Sequence, residues 1–142
     1  MSMPPFHLAF PVKDIASTRT FYEEVLNCIV GRQGDRWIDF DFFGHQISAH
    51  LTDQQQPAPL CNQVDNKAVP ARHFGVILDC DDWDKLVARV RKHQVAFYIA
   101  PYTRFAGEVG EQRTFFIQDP SENFLEFKCF RDPELVFRST QQ

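Results

Sequence analysis

No segment of this chain approaches the roughly 20 consecutive apolar residues that a membrane span requires. The opening stretch MSMPPFHLAF has no positively charged start and no sustained apolar core, so it does not read as a signal peptide. Basic residues are not in excess. The formal net charge is −4 with acidic and basic side chains interleaved, which leaves no footprint for nucleic acid and no polybasic patch for a membrane surface. The cysteines, Cys28, Cys61, Cys80 and Cys129, form no CxxC pair and no framework spacing. Three of them lie in or beside strand-like runs, where cysteine behaves as a small hydrophobe. The expectation is reduced thiols in a cytoplasmic protein.

What the chain has is enough apolar material for a core of its own. Fifteen phenylalanines are spread over 142 residues, a length that fits one domain built of two small halves. Residues 5–12 read as an extended apolar segment. The run DIASTRTFYEEVLN (14–27) reads as a helix capped by Asp14 or Ser17, with Ile15, Phe21, Val25 and Leu26 at helical spacing. Strands are expected over 28–33, 36–43 and 45–52, joined by turns at Gly34-Asp35 and Gly44. Residues 53–71, polar and holding three prolines, read as a linker. The pattern then restarts: a strand over 72–79, and a helix over 81–94 capped by Asp81 or Asp82 with Trp83, Leu86, Val87 and Val90 inward. A short strand over 95–100 follows, then an irregular region over 101–112, and strands over 113–119 and 123–130 around the turn DPSEN. Module one thus spans 5–52, module two 72–130 and a tail 131–142, all within a single domain, 1–142.

The restart is an internal repeat. His7-Leu8-Ala9 and His73-Phe74-Gly75 both run histidine, apolar, small, at an offset of 73 − 7 = 66. Allowing for a loop insertion in the second half, the strand of His50 is expected to match that of Glu126, since 126 − 50 = 76. Strand alternation puts Leu8, Phe10, Val12, Phe74, Val76, Leu78, Ile47, Ala49, Leu51, Leu125, Phe127 and Cys129 on helix-covered faces. His7, His50, His73 and Glu126 fall on the opposite faces, with Ala9 and Gly75 leaving space. Each histidine alone fits a hydrogen-bonded structural residue. Two imidazoles and a carboxylate converging on one face also fit a divalent metal with open positions, and that set does not choose among iron(II), manganese(II), nickel(II), cobalt(II) and zinc(II). Arg113 and Tyr102 border the irregular loop, as solvated residues or as contacts for an anionic or aromatic substrate. FAGEVGEQR, with two glycines, suits a mobile lid, while His45 and His93 read as surface residues and Asp39 and Asp41 as solvent-facing or interfacial, with a second metal site as the alternative.

Three motifs carry a family resemblance. HLAFPVKDIASTRTFYEEVLN, RHFGVIL and FFIQDPSENFLEFK, the last similar to a DP.GN..E ending, together resemble the vicinal oxygen chelate superfamily over about residues 6–130. Its members include glyoxalase I, extradiol ring-cleaving dioxygenases, and bleomycin- and fosfomycin-resistance proteins. The resemblance implies an α+β fold of two tandem βαβββ modules, a curved cup-like mixed sheet with helices outside. It implies metal ligation by His7, His73 and Glu126 in the extradiol-dioxygenase-like pattern, which favours iron(II) or manganese(II). Glyoxalase I adds a glutamate near the end of its first module, and His50 is expected at that place here as an acid/base group or fourth ligand. The function so implied is a metal-dependent, dioxygenase-like enzyme acting on a small-molecule substrate with vicinal oxygens, as a homodimer. A glyoxalase-type isomerase or lyase at the same metal, or a non-catalytic resistance-type binding module, are the alternatives.

Overall fold

A computed structural model describes residues 2–139, so Met1 and the last three residues of the expected tail lie outside the described residues. The chain divides into two compact units, one holding residues up to 58 with Asp119–Asn123 and the other 59–118 with the chain from 124 onward.

In the first unit β1 (His7–Val12) leads to α1 (Ile15–Thr20), whose N-cap is Asp14, its carboxylate accepting Ser17 N–H at 2.7 Å. The helix widens into a π turn over Phe21–Val25, which brings Phe21, Tyr22 and Val25 inside together. Strands β2 (Ile29–Gln33), β3 (Trp37–Phe42) and β4 (His45–Leu51) follow, and the sheet order is β1-β4-β3-β2. β1 runs parallel to β4, and the other pairs are antiparallel. Alternation is as expected: Phe10, Val12, Ile38, Phe40, Phe42, Ile47 and Ala49 are buried under the helix.

Tyr22, which the helical stripe did not single out, is the centre of this core. Its ring stacks on Phe40 at 5.0 Å and tilts against Phe10 at 5.8 Å, and it is fully buried. Its hydroxyl donates to Asp119 Oδ2 at 3.0 Å, and the same oxygen accepts Asn123 Nδ2 at 2.9 Å. Asp119 Oδ1 accepts the Ser121 and Asn123 backbone N–H groups, so the DPSEN turn is folded around one buried carboxylate. Burial, then Asp119, raise the Tyr22 phenol well above its ordinary value, and burial also raises Asp119 against its hydrogen bonds. Losing that carboxylate would strand a buried hydroxyl, at a cost of about 1–3 kcal/mol.

The second unit repeats the topology. The segment 73–78 lies parallel to β9 (Phe124–Phe130), with bridges Phe74–Leu125 and Ile77–Lys128. Four backbone hydrogen bonds tie it there, but the pairing is irregular around Gly75, so the expected strand is two isolated bridges. At Gly75 a Cβ would fall on the Glu126 carbonyl, which is why a glycine is needed for this approach. Helix α2 (Cys80–Lys92) starts one residue earlier than expected, because Asp79 is its N-cap and accepts Asp82 N–H at 2.8 Å. Trp83, Leu86, Val87 and Val90 are buried, as the periodicity implies. β7 (Phe97–Arg104) and β8 (Gln112–Gln118) complete a sheet of order β7-β8-β9. β7 takes in the start of the region expected to be irregular, leaving 105–111 as the loop.

Two expectations are corrected. The presumed linker holds a β-hairpin, β5 (Cys61–Val64) with β6 (Lys67–Pro70). Asp65 and Asn66 at its tip have φ of 51° and 61°, the pair of positive angles a type I′ turn needs, and their polarity disguised the turn as linker. Cys80 and Cys129 are joined as a disulfide with Cα atoms 5.2 Å apart, tying the start of α2 to β9. A separation of 49 residues gave no sign of this, since only the packing of the helix on the sheet brings the pair together. The fold is α+β: each βαβββ repeat has an open sheet of its own, and the β5–β6 hairpin makes the third.

Glu122 has φ of 65°, at the place where the related motif carries glycine. Glu122→Gly is expected to raise stability by about 0.5–1 kcal/mol, the exposed Lys13 ion pair it removes being worth little; chemical denaturation measures this, and a loss of stability would contradict it. Alkylation of unreduced, unfolded protein is expected to label two cysteines, Cys28 and Cys61, and two more after reduction.

Candidate functional site

The second unit brings His73 and Glu126 together. His73 stands where segment 73–78 enters its pairing with β9, and Glu126 projects from β9 on the face away from α2, opposite the buried Leu125 and Phe127. His73 Nε2 lies 3.1 Å from Glu126 Oε1, with side-chain exposures of 29% and 14%. The histidine's Nδ1 is 2.8 Å from the Pro70 carbonyl oxygen, which can only accept, so Nδ1 carries a proton and Nε2 is aimed at the carboxylate. Glu126 Oε2 accepts the Thr114 hydroxyl at 2.7 Å, and Phe116 meets the imidazole edge-to-face at 5.0 Å. Every atom of the pair that does not face the partner is thus held by a neighbour.

These contacts shift both groups. The hydrogen bond with Glu126 raises His73, against burial. Burial pushes Glu126 up, but the hydrogen bonds from His73 and Thr114 outweigh it and the net direction is down. The imidazolium–carboxylate form is therefore favoured, with a proton held between Nε2 and Oε1.

In the first unit His7, an exposed side chain, is oriented by a side-chain amide. Its Nδ1 lies 2.8 Å from Gln46 Oε1, on the strand paired with β1. Gln46 Nε2 donates to Asp39 Oδ2 at 3.4 Å, and Ser48 Oγ donates to Asp39 Oδ1 at 2.6 Å. Within each unit, among the described residues, no group of three or more His, Cys, Asp and Glu is placed to hold a metal ion.

The remaining expected site residues fall differently. Register sets the correspondence: Leu8 pairs with Ile47 as Phe74 pairs with Leu125, and Pro11 with His50 as Ile77 with Lys128. Glu126 therefore corresponds to Ser48, and the offset along these strands is 126 − 48 = 78. His50 corresponds to Lys128. It is exposed, four residues beyond Gln46, and so about 13 Å along β4 from the partner of His7. The structure thus does not set His50 beside His7.

Arg113 lies on the helix-covered face of β8, ion-paired to Asp84 at 2.8 Å and 4.6 Å above the Trp83 ring, so it faces away from Glu126. The odd-even alternation of β8 decides this, since Thr114 and Phe116 hold the other face. Tyr102 pairs directly with Thr114 and shares its face. Its hydroxyl donates to Asp65 at 2.9 Å, Lys67 Nζ sits 4.0 Å above its ring, and Arg104 pairs with the same carboxylate at 2.6 Å. Burial, then Asp65, push the Tyr102 phenol up to about 12, so it stays protonated. Gln46, Ser48, Thr114 and Pro70 were not singled out in sequence, and Asp39 was read there as solvent-facing or interfacial. Alternation with His50 on β4 was the available sign for Gln46 and Ser48.

The glyoxalase/bleomycin resistance protein/dioxygenase superfamily model matches residues 5–127. The chain belongs to this superfamily. A solved glyoxalase/bleomycin resistance protein/dioxygenase from Alicyclobacillus acidocaldarius is 32% identical, with 94% of this chain and 96% of that chain covered and a TM-score of 0.79. Fosfomycin resistance protein FosX from Listeria monocytogenes is 18% identical over 91% of this chain and 94% of its own, with a TM-score of 0.65. Lactoylglutathione lyase from Agrobacterium tumefaciens is 14% identical over 90% and 94%, also with a TM-score of 0.65. The last two show the shared fold. No curated protein matches the chain.

In metal-free protein, His73 is expected to titrate above the ordinary histidine value of about 6.5. Its share of stability is complete below that value and is lost as pH rises through the raised folded value. The Glu126 share is present above about 4.3 and is lost as pH falls. Glu126→Gln should lower the His73 midpoint, read by NMR titration; an unchanged midpoint would contradict the pairing.

Proposed function

We propose that this protein is a metal-dependent enzyme of the superfamily, acting on a small substrate with adjacent oxygens in the manner of extradiol dioxygenases. The observation that carries the reading is the matched state of two histidines. His7 and His73 each commit Nδ1 to a protein acceptor, so Nε2 would be the ligating atom of both, and at His73 that atom lies beside the carboxylate of Glu126. A second hydrogen bond that fixes tautomer and ring orientation is what metal-ligating histidines require. The two imidazoles and the carboxylate are a donor set that fits iron(II) or manganese(II).

His7, His73 and Glu126 would hold the ion. When bound it supplies Lewis acidity toward paired substrate oxygens and, if redox-active, a place for dioxygen. The chain's own residues do the rest. Thr114 holds the second Glu126 oxygen, and Phe116 keeps water from one side of the His73 ring. Tyr102, protonated and on the face of Thr114, offers a hydroxyl and a ring edge to orient an aromatic substrate. Ser48, the counterpart of Glu126, gives the first unit a hydroxyl and not a second carboxylate base there, which supports the dioxygenase reading over a glyoxalase-type isomerase. We further propose that the enzyme works as a homodimer. Among the described residues no helix is long and apolar enough to cross a membrane. The Cys80–Cys129 bond removes two of the four reduced thiols on which the cytoplasmic expectation drew.

Protein purified anaerobically and loaded with iron(II) or manganese(II) is expected to bind one ion per donor set, and His73→Ala to weaken binding by at least about 10-fold. Unchanged metal content in that variant would refute the metal reading. Oxygen uptake with a panel of catechols then tests the reaction; an iron-loaded sample that consumes none would rule out the dioxygenase.

A further inference from the structure

We infer that Asp39 is a positioning residue that selects the tautomer of His7 through Gln46. Three hydrogen bonds within the first unit make the selection. A carboxylate offers acceptors only, so Asp39 Oδ2 requires the amino end of the Gln46 amide, at 3.4 Å. Ser48, at 2.6 Å on Oδ1, pins the carboxylate in that orientation, and Asp39 and Ser48 are direct partners across β3 and β4. With its amino end committed, Gln46 turns Oε1 toward His7, where it accepts at 2.8 Å. An amide oxygen cannot donate, so the His7 proton must sit on Nδ1. Nε2 is then left as a bare lone pair.

If the amide were reversed, its oxygen would face the Asp39 carboxylate and its amino group would demand a lone pair from Nδ1. The proton would move to Nε2, and His7 would present a donor where an acceptor is needed. Asp39 excludes that arrangement from two residues away in the network. In the second unit a backbone carbonyl, Pro70, performs the same selection on His73 directly. A carbonyl cannot be reversed, whereas a glutamine amide can, and this is the physical reason the first unit needs a third residue. Asp39 and Gln46 both line a cleft of about 290 Å3 in the first unit, so the relay borders open space.

The consequence for metal affinity rests on the reading of His7 as a ligand; the tautomer itself does not. The test is nitrogen-15 NMR of the histidines in the full, metal-free chain at a pH where His7 is neutral. Wild-type His7 is expected as the Nδ1–H form alone. Asp39→Ala should give a mixture of both forms, and so should Gln46→Leu, which removes the acceptor while leaving the Asp39–Ser48 bond. Asp39→Ala combined with Gln46→Glu should restore the Nδ1–H form, because a glutamate at 46 can only accept. A merely structural role for Asp39 would not be rescued in this way. An unchanged His7 in Asp39→Ala, or no restoration in the double variant, overturns the inference. Manganese(II) titration of the same proteins should show about 10–100-fold weaker binding in Asp39→Ala and recovery in the double variant. A shifted tautomer with unshifted affinity would leave the relay standing and refute His7 as a ligand.

Discussion

In both βαβββ repeats the leading extended segment lies parallel to the last strand, and the placing of the candidate residues follows from that neighbour relation. It sets His7 beside Gln46 and His73 two residues before Gly75, within reach of Glu126. Because side chains alternate, the same pairing that buries Phe10, Ile47, Leu125 and Phe127 under the helices turns the polar residues to the opposite face. The chemistry is a by-product of a well-filled core. Gly75 marks how close the approach is, since no larger residue fits against the Glu126 carbonyl.

Buried polar groups in this molecule are organised around carboxylates that act as templates. Asp119 folds the DPSEN turn by accepting two backbone N–H groups, while its other oxygen ends the Tyr22 hydroxyl. Glu126 divides its oxygens between His73 and Thr114, and Asp39 between Ser48 and Gln46. Each carboxylate sits with both oxygens committed. Among the described residues no buried side-chain polar atom lacks a partner, which is the condition for such networks to be stabilising. Asp65 does the same at the rim of the second sheet, where Tyr102 and Arg104 converge on one oxygen.

The two units have diverged most where the repeat would otherwise be symmetric. Position 126 carries a carboxylate and its counterpart 48 a hydroxyl, so the second unit sets a carboxylate directly on its histidine and the first reaches its carboxylate, Asp39, through Gln46. A hairpin inserted before His73 supplies the Pro70 carbonyl that orients it. The disulfide between Cys80 and Cys129 secures the second helix to the strand that bears Glu126.

The repeat, the buried stripe of α2 and the faces of His7, His73 and Glu126 were legible in the sequence through local periodicity, which a chain writes into itself. The α+β class came with the family resemblance. The position of His50, two residues out of register with Glu126's counterpart, was not legible. Register depends on which backbone groups pair across strands, and a loop of unknown length hides it. Arg113 shows the same limit: only its contacts with Asp84 and Trp83 reveal which face of β8 it took. The cysteine bond, the hairpin and the relay through Gln46 join residues distant in sequence, and the tertiary structure decided them, because spatial proximity created by packing leaves no periodic trace.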